Sequence, residues 1–159
     1  MSDVRYHTPE NRLGKLLRMP GGVSVADAIE QAHAGVATLE EPALDQLMQV
    51  LAAAEAAVER LPPAFDGAVI AELYGVAQGA VGLASLAARP SADAALRSLC
   101  ELLDHLTVGQ TWDPEAVLVH VRAFRLLIGA EGMREGAGAD AVLEGLKRVT
   151  ERYAAPEAP

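Results

Sequence analysis

Residues 112–129 read WDPEAVLVHVRAFRLLIG, a helical pattern that leaves little polar surface. A helix that is apolar on nearly every side is usually central and covered by its neighbours. Asp113 is a suitable N-cap, Pro114 fits the first helical position, and Gly129 provides a stop. The stretch therefore predicts a central helix around which the rest of the chain packs.

His120 is the only titratable side chain on the apolar face of this helix, where it falls beside Phe124 and Leu127. One interpretation is a core histidine that is hydrogen-bonded to a neighbouring helix. The other is a histidine lining a groove that a partner protein or a phosphoryl group reaches. The sequence leaves both interpretations open, although the helical period places the ring inside.

The composition fits one domain with a real core, because the chain has 159 residues and half of them are hydrophobic. Only 4% are aromatic, and the apolar content comes from alanine and leucine, which favour helix over sheet. The net charge of −9 argues against binding to nucleic acid or to an anionic membrane. Cys100 is the single cysteine, so no internal disulfide is possible, and we expect a buried thiol rather than a nucleophile, in a cytoplasmic protein.

The pattern predicts an all-α fold, an antiparallel helical bundle of four main helices plus one or two shorter helices. No alternation typical of strands and no apolar run of about 18 residues is found, so we expect no membrane span. We expect a basic N-terminal arm (1–22), one bundle domain (23–153) and a disordered tail (154–159). The predicted helices span residues 24–41, 42–61, 64–88, 92–106, 112–129 and 140–153.

Charge is distributed unevenly along the chain. Residues 1–22 carry four basic and two acidic side chains. In contrast, residues 19–59 carry seven acids and no lysine or arginine. Such a segment is a solvated face or a surface that steers a basic partner. The residues we expect to contact a protein partner are Arg12, Lys15, Arg18, Asp27, Glu30, Asp45 and Gln49.

Small residues form a second stripe along the predicted helix 64–88. Gly75, Gly79 and Gly82 each cost roughly 1 kcal/mol relative to alanine inside a helix, and close helix–helix contact is the expected compensation. The same stripe is a candidate seam for a homo-oligomer.

No pattern for a metal, a cofactor or a hydrolase is present, since the four histidines are far apart in sequence and no P-loop, GxGxxG or GxSxG occurs. The size and helical architecture resemble histidine phosphotransfer domains, which carry an exposed histidine followed three residues later by lysine and then glycine. Here His120 is followed by Val121, Arg122, Ala123 and Phe124, so the motif itself is not matched. His105 is the other candidate phosphoacceptor.

Asp45 and Gln49 lie four residues apart in LDQLMQ, on one wet side of the second predicted helix. This pair resembles the D-x-x-x-Q arrangement of the chemotaxis phosphatase CheZ. That resemblance implies an amide that orients water at an aspartyl phosphate and an acid that engages a lysine.

Three longer stretches are similar to CheE, a family of short alphaproteobacterial proteins encoded among chemotaxis genes. They read NRLGKLLRMPGGVSVADAIEQA, LYGVAQGAVGLASLAARPSADAALRSLCELLDHL and AVLVHVRAFRLL, and cover well over half of the chain. The resemblance implies a cytoplasmic helical accessory protein of chemotaxis or two-component signalling that binds a receiver or a histidine kinase. It implies no catalytic residue.

The leading hypothesis is therefore a signalling adaptor without enzymatic activity that presents helical faces to another protein. The alternative is a divergent phosphorelay protein that uses His120 or His105.

Overall fold

The computed structural model describes residues 14, 21–129 and 136–154. Within these residues the backbone is mainly helical and no strand occurs, which confirms the predicted all-α class. Most of the predicted basic arm, with Arg12, Lys15 and Arg18, lies outside the described residues. So do the glycine-rich connection at 130–135 and all but the first residue of the predicted tail.

The described residues form six helices of 13 to 20 residues and one short helical turn. The described residues therefore form more long helices than the four that the sequence predicts. The antiparallel arrangement of four helices stays a prediction. The helices are α1 (Val25–Ala37), α2 (Glu40–Glu59), α3 (Gly67–Ala80), α4 (Leu83–Leu86), α5 (Pro90–Gly109), α6 (Pro114–Gly129) and α7 (Ala137–Glu151).

The contacts divide the chain into two compact units, Met1–Gly35 and Val36–Pro159, with the division inside α1. In the first unit α1 begins as the sequence predicts, because the Ser24 hydroxyl accepts a hydrogen bond from the Asp27 amide at 3.1 Å. No residue of α1 is buried.

In the second unit the core is organised around α5, which contacts α3, α4, α6 and α7. The prediction that the 112–129 helix is the central one is therefore wrong. The reason is that α5 buries a leucine on nearly every turn. These leucines are Leu96, Leu99, Leu102, Leu103 and Leu106.

The helix α6 begins as predicted, because the Asp113 carboxylate accepts hydrogen bonds from the amides of Glu115 (3.0 Å) and Ala116 (3.1 Å). One side of it is buried against α2, α5 and α7. Val119 and Leu126 are each 42% exposed, so the helix is amphipathic rather than covered all round.

The predicted helix 64–88 breaks after Ala80. Val81 is extended and Gly82 has a φ of +91°, so the chain turns before the short α4. The turn is held from α5, because the buried Asp93 carboxylate accepts from the Gly82 amide and also pairs with Arg97 at 2.7 Å. By length and composition the segment Gly67–Leu86 is apolar enough to cross a membrane, a test that core helices also pass, and 28% of its 18-residue apolar window is buried in the protein.

The predicted start of the next helix is also corrected. The helix begins at Pro90 and not at residue 92, and Ser91 lies inside its first turn. Arg89 precedes it and is buried. Its guanidinium donates to the carbonyls of Ile128, Ala87 and Ala88, each at 3.3 Å. One side chain therefore supplies hydrogen-bond donors to carbonyl groups at the C-terminal ends of both α6 and α4.

Candidate functional site

The outer side of α2 carries three exposed acids and one amide. At about 100° per residue, Glu41, Asp45, Gln49 and Glu59 fall within one third of the helix circumference, and all four are exposed. We call these four residues, with the half-exposed Met48, the α2 acidic face. The opposite side of the helix is buried through Ala43, Leu47, Leu51, Ala54 and Ala57.

This geometry follows from the periodicity of α2. Its buried residues recur every three or four positions, which fixes the helix rotation and leaves the acids in water. Small exposed alanines, Ala52 and Ala56, lie between the acids, and Met48 is 50% exposed. The result is a charged surface with low relief and one flexible apolar side chain.

A shallow groove runs between α2 and α6 beside this face. Glu55 and Arg125 form an ion pair across it, with 3.2 Å between carboxylate and guanidinium. On one side lies a cavity of about 400 Å³ and on the other a cavity of about 370 Å³, and both are lined by this ion pair. The first also contains Glu59 and Arg122, so the groove carries both signs of charge.

His120 is fully buried in the interior of the second unit. Its Nδ1 lies 2.8 Å from the Ala116 carbonyl, which can only accept, so Nδ1 carries the hydrogen and Nε2 is the acceptor in the neutral ring. The hydroxyls of Ser98 and Thr150 each lie 3.2 Å from Nε2 and 3.2 Å from each other. Burial lowers the pKa of His120 from its ordinary value of 6.5, and the hydrogen bond to Ala116 offsets part of this effect.

The histidine therefore joins α5, α6 and α7 through Ser98, its own ring and Thr150. This placement agrees with the interpretation of a core histidine bonded to neighbouring helices. In this conformation a phosphoryl donor has no path to the ring.

His105, the other candidate phosphoacceptor, is partly exposed on α5. Its side chain is 28% accessible, and Nε2 lies 3.8 Å from the Glu101 carboxylate. The ring borders a cavity of about 490 Å³ together with Asp104, Val108 and Tyr153. It can be reached from solvent, unlike His120.

Asp45 and Gln49, the pair that resembles the phosphatase arrangement, are both exposed on the α2 acidic face. Asp27 and Glu30 are exposed on α1. The remaining predicted partner-binding residues, Arg12, Lys15 and Arg18, fall outside the described positions. Gly75 and Gly79 lie exposed on α3, and a Cβ added at either meets no atom within 4 Å.

Sequence reasoning missed a hydrogen bond between Tyr153 and the capping residue Asp113. This bond lowers the pKa of Asp113, and burial together with the same bond raises the pKa of Tyr153 to about 12. Its effect is to attach the end of α7 to the start of α6. No local pattern signals the contact, because the partners are 40 residues apart.

The described residues contain no group of three or more His, Cys, Asp or Glu side chains placed to hold a metal ion. Cys100 is half-buried, and burial followed by the charge of Asp104 raises the pKa of its thiol. A thiol with a raised pKa is a poor nucleophile.

Comparisons of the chain with protein-family models, with curated proteins and with solved structures gave no significant match.

Proposed function

We propose that this protein is a cytoplasmic signalling adaptor without enzymatic activity, and that it binds its partner through the α2 acidic face. The observation that carries the proposal is the arrangement of Glu41, Asp45 and Glu59 in water on one side of a helix whose other side is buried. A surface of one charge sign raises the rate of encounter with a partner of the opposite sign and disfavours other acidic proteins.

The chemistry of this face suits a helix or loop with lysine and arginine side chains. Ala52 and Ala56 leave room for a partner backbone to approach, while Met48 supplies a flexible apolar contact at the centre. The acids lie at the rim, so they contribute mainly to association rate and specificity rather than to the lifetime of the complex.

The class of partner is proposed from the sequence. The similarity to the CheE family favours chemotaxis or two-component signalling, in which the partners are response-regulator receivers and histidine kinases. The Asp45 and Gln49 pair lies on the same face, so a receiver that docked there would bring its phosphoryl group near these two side chains.

Capture from the parent cell tests this proposal. The immobilised protein is compared with the double variant Glu41→Lys/Asp45→Lys and with Glu101→Lys/Asp104→Lys, which makes the same change of charge on α5. We expect the native protein and the α5 variant to retain a receiver or a kinase, and the α2 variant to lose it. Equal retention by all three proteins would refute a role for the α2 acidic face.

A phosphorelay role is the second candidate, and the exposure of His105 favours it over His120 as the phosphoacceptor. Incubation with a phosphorylated receiver should then produce acid-labile phosphohistidine that is absent from His105→Asn and present in His120→Gln. If no histidine becomes labelled, the phosphorelay alternative is wrong and the adaptor proposal is unaffected.

A further inference from the structure

The groove between α2 and α6 has an acidic side and a basic side, and both belong to the second unit. Glu55 and Glu59 lie on α2, Arg122 and Arg125 lie on α6, and all four line the cavity of about 400 Å³. Glu55 and Arg125 pair with each other. The side chains of Glu59 and Arg122 make no ion pair or hydrogen bond in the part of the chain that the structure describes. The groove therefore carries one unpaired charge of each sign.

The two unpaired charges lie at nearly the same height along the groove. The middle of α2 shares a cavity with the end of α6, and the end of α2 shares one with the middle of α6, so the helices run in opposite directions. At a rise of 1.5 Å per residue, Glu59 lies about 6 Å beyond Glu55, and Arg122 lies about 4.5 Å from Arg125 in the same direction. The Glu55–Arg125 ion pair thus sets a common height from which Glu59 and Arg122 differ by less than about 2 Å.

We propose that this groove is the interface of a homodimer in which α2 of each copy packs over α6 of the other. A two-fold axis that runs along the groove exchanges its two sides and keeps the height of every residue. Arg122 of one copy then meets Glu59 of the other, and the contact occurs twice because a two-fold interface is isologous. An axis across the groove would instead place the two acidic sides on each other, so charge selects the first arrangement.

The charges of the groove fit a second copy better than a partner of one charge sign. An acidic partner is repelled by the α2 side of the groove, and a basic partner is repelled by the α6 side. The occupant must carry both signs in two rows separated by one helix–helix distance, roughly 8–10 Å. The groove itself is such a surface, and in the proposed arrangement the facing helices run in opposite directions, which also opposes their dipoles.

The size of this face predicts a weak dimer. Helix α6 has 16 residues, so it is about 24 Å long, and a helix with its side chains is about 10 Å wide. Two helices side by side therefore present about 480 Å², and the two faces together bury roughly 1,000 Å², the least that a specific interface requires. The half-buried side chains of Val58 and Leu118 lie in the floor of the groove and add apolar contact.

The net charge of −9 opposes association of two copies mainly at low salt. The Debye length is about 8 Å at physiological ionic strength, so repulsion between distant acids is screened, whereas charges in contact across the groove are screened much less. The dimer should therefore be measured at about 0.15 M salt.

Charge-swap pairing of the purified full chain tests the dimer. Arg122→Glu makes both contacts acidic and Glu59→Arg makes both basic, and neither change removes the Glu55–Arg125 ion pair. Sedimentation velocity at rising concentration should show that each variant self-associates at least about tenfold more weakly than the native chain. An equimolar mixture of the two variants should recover association, because every contact between them joins an acid to a base. The chain that carries both changes should recover it for the same reason.

Two matched controls make the same changes of charge outside the groove. Glu101→Arg on α5 and Arg148→Glu on α7 should each associate as the native chain does.

Three results would overturn the proposal. The first is a native chain that stays a monomer up to about 1 mM, a concentration at which even an association of about 4 kcal/mol is detected. The second is association that neither groove variant weakens, which would place the interface elsewhere. The third is loss of association in both variants without recovery in the mixture, which would show that Arg122 and Glu59 do not meet across two copies. No signalling partner takes part, so none of these results depends on the proposed function.

Discussion

The imidazole of His120 is the polar centre of the second unit, where it has no accessible surface. A buried neutral ring is stable only if both nitrogens have partners, and here a carbonyl of its own helix and two hydroxyls from neighbouring helices supply them. The ring therefore fixes how α5, α6 and α7 meet, which is a structural role.

This burial predicts a dependence of stability on pH. The folded pKa of His120 is lowered, so below its ordinary value of 6.5 the unfolded chain binds a proton that the folded chain does not. The contribution of His120 to the free energy of unfolding should consequently be fully present above pH 6.5. It should be lost as the pH falls from that value through the lowered pKa of the folded protein. Chemical denaturation from about pH 8 to about pH 5 measures this effect.

The control for this measurement is His120→Gln, which removes the titrating group and leaves the other histidines in place. The difference in unfolding free energy between the native protein and the variant should shrink as the pH falls. Parallel profiles across the range would contradict a buried neutral imidazole at this position.

Ser98 and Thr150 should behave as a coupled pair. Either hydroxyl alone can satisfy Nε2 of His120, so Ser98→Ala and Thr150→Val should each cost about 1 kcal/mol. The double variant leaves a buried nitrogen without a partner, and it should cost about 1 kcal/mol more than the sum of the two single changes.

Denaturant titration of the four proteins gives the coupling energy directly. In the Ser98→Ala background, Thr150→Ser keeps a hydroxyl and should be less damaging than Thr150→Val. Strict additivity of the single changes would show that the two hydroxyls do not share the imidazole.

What the sequence predicts well at this scale is local. The cap formed by Asp113 is confirmed because donor and acceptor lie within three residues of each other. The interior position of His120 is confirmed because helical period alone decides it. The contacts of Ser98 and the burial of Arg89 depend on how separate helices cross, which no helical wheel contains.

At the scale of elements, the glycines of α3 and those of the turn between α3 and α4 have different roles. Gly82 has a positive φ and is required by the turn, whereas Gly75 and Gly79 lie in a regular helix with open space around them. The predicted reason for Gly75 and Gly79, close packing within the chain, is therefore wrong. The seam between copies of the chain stays a prediction.

Alanine substitution distinguishes these uses. Gly79→Ala should raise the free energy of unfolding by roughly 0.5–1 kcal/mol, because alanine loses less conformational entropy in a helix. Gly82→Ala should lower it by roughly 1 kcal/mol, since alanine is strained in the left-handed region. Thermal unfolding of the two variants beside the native protein measures both changes.

Light scattering at high concentration completes this test. If the protein is a monomer and Gly79→Ala stabilises it, the hypothesis of a seam between copies is wrong. A contact between glycine stripes would leave no space for the added methyl groups. An oligomer that Gly75→Ala and Gly79→Ala dissociate would support it.

Helix boundaries were predicted where the sequence contains a local signal and missed where the signal is tertiary. Pro114 begins α6 as predicted, and Pro62 and Pro63 lie between α2 and α3. The break at Gly82 was missed, because Gly82 continues a stripe of small residues and the carboxylate that holds the turn, Asp93, belongs to another helix.

At the scale of the whole molecule, the excess of acids that the sequence reveals has a structural counterpart in the α2 acidic face. Periodicity predicts that Asp45 and Gln49 share a wet side of their helix, and both are exposed. The neighbouring groove and its ion pair between Glu55 and Arg125 were not predicted, because they depend on the approach of α6 to α2.

The central claim is that the α2 acidic face binds a basic signalling partner, and the most direct test is its affinity for the purified receiver or kinase. Calorimetric titration compares the native protein, Glu41→Lys/Asp45→Lys and the α5 control Glu101→Lys/Asp104→Lys. We predict that the α2 variant binds at least about tenfold more weakly, roughly 1.4 kcal/mol, and that added salt narrows this difference. Equal affinities for all three proteins at low salt would contradict the account.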